Sequence, residues 1–334
     1  MKVITYLALL LKNMTIFCLK SSILIIILIF NSSNLFAQIE NSNTKVLLDS
    51  STTNLSNNSN SIITTNSDST TISNNNIKKI LLVGGTISTF AVTQIYQYKD
   101  SWSDRNQFTI MDWETEYNDA LMSDKFGHFY FTYGLSKVYS HGLEWSGYNK
   151  KESILYGSIL AFSYQLYVEI QDGFSKGQPY LGFSRGDIVA NLFGAIYPNI
   201  QLNNEILENI NFKINFKKSD NYDRLRYTNI INDYESTYHW VSFDIYNLLD
   251  ENSKKYWTPY FNLALGHSVK NINRYGSGNH ELYISLDFNF NPLKELIGLD
   301  SHLINSIFEF INLYKLPSPT IKVHPEVVWV GFRI

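Results

Sequence analysis

The pattern of apolar and polar residues divides the chain into a helical half and a half with strand periodicity. Residues 80–96 and 154–168 contain no charged side chain, and helices of about that length cross or nearly cross a bilayer. A buried core helix is the alternative for residues 80–96. The second stretch lies within a helix predicted over about 153–170, and two further helices are predicted over about 124–143 and 184–197. The last should end before Pro198. The sequence therefore predicts a membrane-associated bundle of about four helices.

From about residue 204 the pattern alternates with a period of two. Leu282 and Ile284 fall on one face of the expected strand, whereas Tyr283 and Asp287 fall on the other. About five strands are predicted on this basis, at 210–216, 238–247, 261–265, 280–290 and 328–332.

The predicted fold class is α+β, with the helical bundle followed by an antiparallel β-sheet region and one amphipathic helix. That helix is predicted over about 300–314, and Pro317 and Pro319 should end it. Because an antiparallel sheet commonly covers one face, we expect this sheet to pack one face on a helix or on the bundle. The predicted boundaries are 77–203 for the bundle and 204–334 for the β region.

The first 37 residues have the pattern of a secretory signal peptide. An apolar run at 23–30 is followed by Ala37, a small residue suited to a cleavage site. The run is shorter than the ~20 residues of a membrane span, although an uncleaved anchor is the alternative. Met14 is an alternative start. Cys18 is not predicted to carry a lipid, because Phe17 stands where a small residue is needed.

Residues 38–76 form a low-complexity tract in which 26 of 39 residues are Ser, Thr or Asn. Such a composition does not bury enough apolar area to offset the entropy lost on ordering. We therefore predict a disordered linker between the signal peptide and the folded part.

The composition limits the classes of function. The net charge is −3 and no basic stripe occurs, so no nucleic-acid partner is expected. Charged residues make up 17% and aromatic residues 15% of the chain, which suits a protein that meets lipid over part of its surface. A single cysteine excludes a disulfide within the chain. We expect an exported, membrane-associated protein facing the periplasm, with membrane lipid or an envelope component as its partner.

Nine polar residues within or beside the predicted helices form the candidate site. They are Asp124, Lys125, His128, Glu169, Asp172, Ser184, Arg185, Asp187 and Asn191. Asp124 and His128 are four residues apart and share one helix face. Simpler explanations exist, because Asp124 suits a helix N-terminus and Ser184 with Asp187 matches a capping box.

Glu169 is the strongest sign of a shared site. It lies at the C-terminal end of an apolar helix, where the helix dipole disfavours a negative charge. A carboxylate at a membrane border should be paired or functional, and Lys125 and Arg185 are the candidate partners. Four acidic residues and two basic residues give the group a formal charge of −2, which favours a cation or a protonated His128.

The order and spacing of these residues resemble a known pattern. The chain is similar to the YfiM-type family of predicted bacterial envelope lipoproteins, a domain of unknown function, in Asp124-Lys125-x-Gly-His128, Glu169-x-x-Asp172-Gly173-Phe174-Ser175 and Gly182-Phe183-Ser184-x-x-Asp187-x-x-Ala190-Asn191-x-x-Gly194. Longer members with a trailing β region are similar over roughly 80–334. The resemblance implies an envelope location and a helical core, and it implies no established activity.

A weaker likeness is to VanZ-like membrane proteins. They also open on Asp-Lys-x-x-His, carry a Glu at the end of a later helix and close on an Arg, Asp, Asn and Gly series, which Arg185, Asp187, Asn191 and Gly194 fit loosely. Those proteins are linked to glycopeptide tolerance, and transferring that role here would be an analogy of fold alone.

Three hypotheses about function remain open. The first is a non-enzymatic envelope protein whose helical module binds a headgroup, an ion or a partner through the polar residues. The second is a metal-dependent hydrolase or transferase acting on a lipid-linked or cell-wall substrate, with His128 as general base or metal ligand and Glu169 and Asp187 as further ligands. The third is a structural ion-pair network. No nucleophile elbow, phosphate loop or HExxH motif occurs, so a non-enzymatic role is favoured and no cofactor beyond a divalent metal is considered.

Overall fold

A computed structural model describes residues 66–98, 102–176, 182–220, 222, 233–273, 277–293, 302–332 and 334. The predicted signal peptide and residues 38–65 of the predicted linker lie outside the described residues. Ser88–Ile334 form one compact unit. It contains the sheet and every helix except the beginning of the first.

In the described part of the chain, six helices precede the sheet. They are α1 (Asn66–Gln97), α2 (Trp113–Asn118), α3 (Ser123–Trp145), α4 (Lys150–Gly173), α5 (Arg185–Gln201) and α6 (Glu205–Glu208). Helix α1 covers residues 66–76, where the sequence predicted a linker. Once a helix is nucleated, adding a residue costs little, so the apolar part of α1 extends into the polar tract that precedes it.

Helices α3, α4 and α5 approach one another closely. A Cβ at Gly157 of α4 would lie 2.5 Å from Ser140 Oγ of α3, and a Cβ at Gly194 of α5 would overlap the Phe129 carbonyl oxygen of α3. Glycine at both crossings lets the backbones meet. The space between the helices is therefore filled largely by small and polar side chains, many of them serine.

Helix α5 continues past Pro198 to Gln201, so the prediction that it ends before the proline is wrong. A proline inside a helix removes one backbone N–H donor. Beyond the proline, Gln201 Nε2 donates hydrogen bonds to Ile210 O (2.8 Å) and Leu207 O (3.1 Å). These bonds hold the last turn against the start of the β region.

The β region is a six-stranded antiparallel sheet in which each strand pairs with the next along the chain. Its strands are β1 (Ile210–Phe216), β2 (Thr237–Phe243), β3 (Phe261–Lys270), β4 (Asn279–Phe288), β5 (Thr320–His324) and β6 (Val328–Gly331). A short helix, α7 (Ile245–Leu248), follows β2, and α8 (His302–Ile311) lies between β4 and β5 in sequence.

The antiparallel sheet and the amphipathic helix agree with the sequence prediction, but two details differ. Strand β5 was not predicted, because it is only five residues long and lies between Pro319 and Pro325. Strand β2 ends at Phe243, because Asp244 Oδ1 accepts a hydrogen bond from Asn247 N (3.1 Å) and begins α7 instead.

The sheet buries its polar face, whereas the apolar face is usually the buried one. Tyr283 and Asp287 of β4 are 4% and 1% exposed, while Leu282 and Ile284 are 44% and 41% exposed. Lys213 Nζ of β1 reaches Asp287 Oδ2 of β4 at 2.6 Å although two strands lie between them. The sheet is therefore strongly curved, with its polar face on the concave side.

Part of the apolar face packs on the bundle, as the sequence predicted. The ring centroid of Phe212 on β1 lies 4.5 Å from that of Phe129 on α3 and 4.9 Å from that of Tyr197 on α5. None of the helices within the described ranges has the length and apolar character that crossing a membrane requires. The expectation that residues 80–96 and 154–168 cross a bilayer is therefore not confirmed.

Candidate functional site

Six of the nine candidate residues meet where the start of α3, the end of α4 and the start of α5 come together. This polar cluster consists of Asp124, Lys125, His128, Glu169, Ser184 and Asp187. The side chains of the two aspartates and the lysine are 7–12% exposed. Residues far apart in sequence therefore share one buried site, as Glu169 led us to expect.

Lys125 bridges the two aspartates. Its Nζ lies 3.2 Å from Asp124 Oδ2 and 2.7 Å from Asp187 Oδ1. It also donates to Ser184 Oγ (3.3 Å), and this oxygen caps α5 by accepting a hydrogen bond from Asp187 N (3.1 Å). Lys125 thus contacts one oxygen of each carboxylate and leaves the other oxygen for a different neighbour.

That neighbour is His128. Its Nε2 lies 3.6 Å from Asp124 Oδ1 and 3.8 Å from Asp187 Oδ2, and its Nδ1 lies 3.3 Å from Glu169 Oε1. These separations are ion-pair distances, and His128 Nδ1 and Glu169 Oε1 are not aligned as a hydrogen bond. The imidazole ring is therefore held among three carboxylates by charge more than by hydrogen bonding.

Glu169 has partners that differ from the predicted ones. It is 1% exposed, and its Oε2 accepts a long hydrogen bond from Ser184 N (3.4 Å) while Oε1 faces His128. Neither Lys125 nor Arg185 is its direct partner. Its partners are instead His128 on α3 and the backbone N–H of Ser184 at the N-terminus of α5.

Arg185 lies outside the polar cluster. Its guanidinium carbon is 3.8 Å from the ring centroid of Trp113, and its terminal nitrogen donates to Met111 O (2.9 Å). Glu116 caps the same helix end, because it accepts from Arg185 N (3.0 Å) and Gly186 N (3.1 Å). The prediction of Arg185 as a cluster residue is therefore not supported by its contacts.

Asp172 and Asn191 lie at the margins. Asp172 Oδ1 accepts a hydrogen bond from Trp102 Nε1 (2.6 Å). Asn191 is completely buried, and its Oδ1 accepts from Thr132 Oγ1 (2.7 Å). Both are about one turn from cluster residues on their own helices, but these hydrogen bonds go to side chains outside the polar cluster.

Mutual charge fixes the protonation of the central pair. Burial disfavours the charged form of His128, but Asp124, Asp187 and Glu169 outweigh it and raise the pKa of His128 to about 9. Burial would also raise the pKa of Asp124, yet His128 and Lys125 lower it to about 2. At neutral pH this pair therefore consists of an imidazolium and a carboxylate.

The other carboxyl groups titrate closer to neutral pH. Burial raises the pKa of Asp187 to about 6, and the charge of Asp124 adds to the effect. Burial raises the pKa of Asp172 to about 6 as well, and that of Glu169 well above its ordinary range. The bundle thus concentrates acids whose charge changes readily, a property common at functional sites.

Two further residues of the site, Tyr234 and Asp119, were not identified from the sequence. Tyr234 OH donates to Asp124 Oδ1 (2.8 Å) from the segment before β2, and no local pattern indicated this contact. Burial and the charge of Asp124 raise the pKa of Asp119 to about 7. Asp119 leads into α3 through three residues with positive φ, Ala120, Leu121 and Met122, a strained backbone of the kind found near functional sites.

Three side chains have the arrangement of metal ligands. Asp124, His128 and Asp187 each offer one ligand atom, and these atoms lie within 4.8 Å of one another. The predicted ligand set named Glu169 in the place of Asp124. Glu169 instead faces the other ring nitrogen of His128. That these residues bind a metal remains a prediction.

The same region is the part of the chain that matches a known family. Residues 111–202 match the family described as "Predicted periplasmic lipoprotein (DUF2279)". The match runs from just before α2 to the end of α5, contains all nine candidate residues and covers under a third of the chain. No curated protein and no solved structure matches the chain.

The match bears on location and not on activity. A domain of unknown function that is a predicted periplasmic lipoprotein supports the expected location in the cell envelope after export. The likeness to YfiM-type and VanZ-like proteins is not part of this match.

Proposed function

We propose that the chain is an exported cell-envelope protein whose helical module lies on a membrane and whose polar cluster binds a divalent metal ion. The observation that supports the metal site is that the two oxygens of each of two carboxylates face different partners. Asp124 and Asp187 each direct one oxygen at Lys125 and the other at His128 Nε2. One nitrogen and two oxygens therefore face a common point.

Glu169 also supports this proposal, because it faces the second ring nitrogen of His128. A metal-bound histidine usually directs its second ring nitrogen at a carboxylate or carbonyl group, which fixes the ring orientation. Glu169 Oε1 stands in that position, 3.3 Å from His128 Nδ1. Glu169 is only 1% exposed, so the surrounding side chains hold this arrangement in place.

The charges of the polar cluster define the conditions for binding. Without a metal, Lys125 and a protonated His128 balance Asp124 and Asp187. A metal at Nε2 has to displace the proton from that nitrogen, so binding should release a proton and strengthen as pH rises. One imidazole and two carboxylates suit Zn²⁺, Mn²⁺ or Fe²⁺, and they leave coordination positions for water or a ligand.

The membrane association rests on the apolar outer surface of the bundle. Val189, Phe193, Ile196 and Ile200 lie along one face of α5 and are 40–61% exposed. The interior of the bundle is polar, so these side chains are not needed for its core. A continuous exposed apolar face is costly in water and typical of a surface that meets lipid or another apolar partner.

Metal binding is tested by calorimetric titration of the full exported chain with Zn²⁺ and Mn²⁺ in a mild detergent. We expect one ion per chain, and at least a 100-fold weaker affinity in His128→Gln. His141→Gln is a matched control, because His141 lies on the same helix, near Glu144 (3.9 Å). Equal affinity and equal metal content in both variants would remove the metal from the proposal.

Membrane association is tested by flotation of the chain with vesicles of neutral phospholipid. Val189→Glu combined with Phe193→Glu should reduce the bound fraction at least fivefold, because each side chain loses about 1.5–3 kcal/mol of apolar transfer. Tyr256→Glu, at a residue that is 77% exposed and far from α5 in sequence, should have no effect. A chain that stays in solution without detergent and does not float contradicts the proposal.

A second candidate is metal-dependent hydrolysis or group transfer on a lipid-linked or cell-wall substrate. Asp119 favours it, because a carboxyl with a pKa of about 7 beside the polar cluster is suited to general acid–base catalysis. Asp119→Asn should then abolish turnover of such a substrate while leaving metal affinity within about threefold. Binding of metal without hydrolysis of any lipid-linked substrate would favour the non-enzymatic role.

A further inference from the structure

We propose that a second site, at the opposite end of the bundle from the polar cluster, binds an uncharged ligand rich in hydroxyl groups, of the class of a short oligosaccharide. A cavity of about 680 Å³ lies there, between the end of α3, the start of α4, the end of α5 and the concave face of the sheet. Cavities of roughly 300–1,000 Å³ hold small ligands.

Asparagine dominates the walls of this cavity. Eight of its 22 lining residues are asparagine, and they come from the bundle–sheet junction, from β1 and β3, from the segments beyond β2 and β4, and from α8 and the residue after it. An amide side chain offers two donors and an acceptor oxygen at one position. Hydroxyl groups also both donate and accept, so a wall of amides matches a polyhydroxylated molecule.

Hydrogen bonds within the protein fix the orientation of at least four of these amides, and Asn289 is held by both its atoms because its Oδ1 also accepts from Asn291 N (3.1 Å). Asn247 Nδ2 and Asn289 Nδ2 both donate to Asp244 Oδ2 (2.9 Å). Asn211 Oδ1 accepts from Tyr133 OH (3.2 Å). Asn262 Nδ2 donates to Ser242 Oγ (3.2 Å). Side chains whose orientation is fixed before binding lose little entropy when a ligand arrives.

Asn262 supports a ligand independently, because its side-chain oxygen lacks a hydrogen-bond donor. The residue is 5% exposed, and its Oδ1 has no hydrogen-bond partner among the described residues. A buried amide oxygen without a donor is costly, and native proteins seldom leave one. Asn262 lines the cavity, and a ligand hydroxyl that reaches this oxygen would supply the donor.

The charges of the cavity argue against an anionic ligand. Lys137 Nζ lies 3.4 Å from Glu309 Oε2, and Lys213 Nζ lies 2.6 Å from Asp287 Oδ2. Both lysines are therefore neutralised within the protein, and the third lining lysine, Lys150, is outnumbered by Glu144, Glu208 and Asp244. A phosphate or carboxylate would meet no free cation from these two residues, whereas a neutral molecule avoids the repulsion.

The experiment is calorimetric titration of the full chain with maltotriose and with N,N′,N″-triacetylchitotriose, in a detergent that has no sugar headgroup. We expect saturable binding of at least one of them. Asn262→Leu should weaken that binding at least tenfold while the melting temperature changes little, because the removal of an unpartnered buried oxygen offsets the loss of the hydrogen bond to Ser242 Oγ. A merely structural asparagine would give the opposite result, a lower melting temperature with unchanged affinity.

Asn203→Ala is the matched control, since Asn203 does not line the cavity and its side-chain amide donates to Asn199 O (2.9 Å) on its own helix end. Should Asn262→Leu fail to fold, Asn312→Ala replaces it, because Asn312 is half-buried and its side chain makes a long contact with Asn291 (3.4 Å). It should weaken binding about threefold. No saturable binding of either sugar, unchanged affinity in the cavity variants, or tighter binding of inorganic phosphate than of both sugars would overturn the proposal.

Discussion

The bundle and the sheet each bury a set of charged side chains, and the two sets differ in the ratio of acidic to basic residues. In the sheet, Lys213 and Asp287 form a single pair at 2.6 Å with side chains 2% and 1% exposed. In the bundle, Asp124, Asp187 and Glu169 share one lysine and one histidine.

The surrounding hydrogen bonds extend this contrast. Asp287 Oδ2 also accepts from Ser242 Oγ (2.7 Å), and Lys213 Nζ donates to Phe288 O (3.4 Å). The polar cluster instead has carboxylates in excess, and burial raises the pKa of Asp187 and Glu169. A one-to-one buried pair positions strands, whereas an excess of buried acid leaves atoms suited to a proton or a cation.

The largest expected effect concerns the sheet pair. Lys213→Met should lower the free energy of unfolding by about 3–5 kcal/mol, because it leaves the Asp287 carboxylate buried without its partner. Chemical denaturation followed by circular dichroism measures the change. The double variant Lys213→Met, Asp287→Leu should recover much of the loss. If the single and double variants are equally unstable, the pair is not the source of the effect.

The next effect is a pH dependence that belongs to the polar cluster. The folded-state pKa of His128, about 9, lies above its ordinary value of 6.5, so the folded protein holds an extra proton between these pH values. This contribution to stability is complete below pH 6.5 and is lost as the pH rises to 9. It amounts to at most about 3 kcal/mol.

Thermal unfolding from pH 6 to 9.5, with a chelator present, measures this loss. His128→Gln should have a shallower slope over the same range, because only carboxyls with raised pKa values such as Asp119 and Glu169 still release protons there. Lys213→Met should keep the slope of the wild type. A slope in His128→Gln as steep as that of the wild type would assign the proton to another group.

The smallest expected effect distinguishes a role of Glu169 in orienting His128 from a role in folding stability. Glu169→Gln should weaken Zn²⁺ or Mn²⁺ affinity about 10–100-fold, because the amide no longer orients and polarises His128 as a carboxylate does. The melting temperature should change little, since the amide also removes a buried charge. A large loss of stability with unchanged metal affinity would make Glu169 part of a structural network like the sheet pair.

Periodicity alone was enough to locate most elements. The uncharged stretch around 154–168 lies in α4, and the alternation at 280–290 lies in β4. The ends of elements were less predictable, because Pro198 stays inside α5 and Asp244 ends β2 through side-chain bonds that local patterns do not reveal. Likewise, alternation identified the two faces of the sheet but not that the polar face would be buried.

The identities of the residues by themselves determined that Asp124 and His128 share a helix face and that Glu169 stands at an unfavourable helix end. Only the tertiary structure decided which groups pair, because Tyr234 is 110 positions from Asp124 and Ser184 is 15 from Glu169. It also turned Arg185 away toward Trp113 and Glu116. The physical reason is that spacing fixes neighbours along one helix, whereas contacts between helices depend on how closely glycines such as Gly157 and Gly194 let the backbones pack.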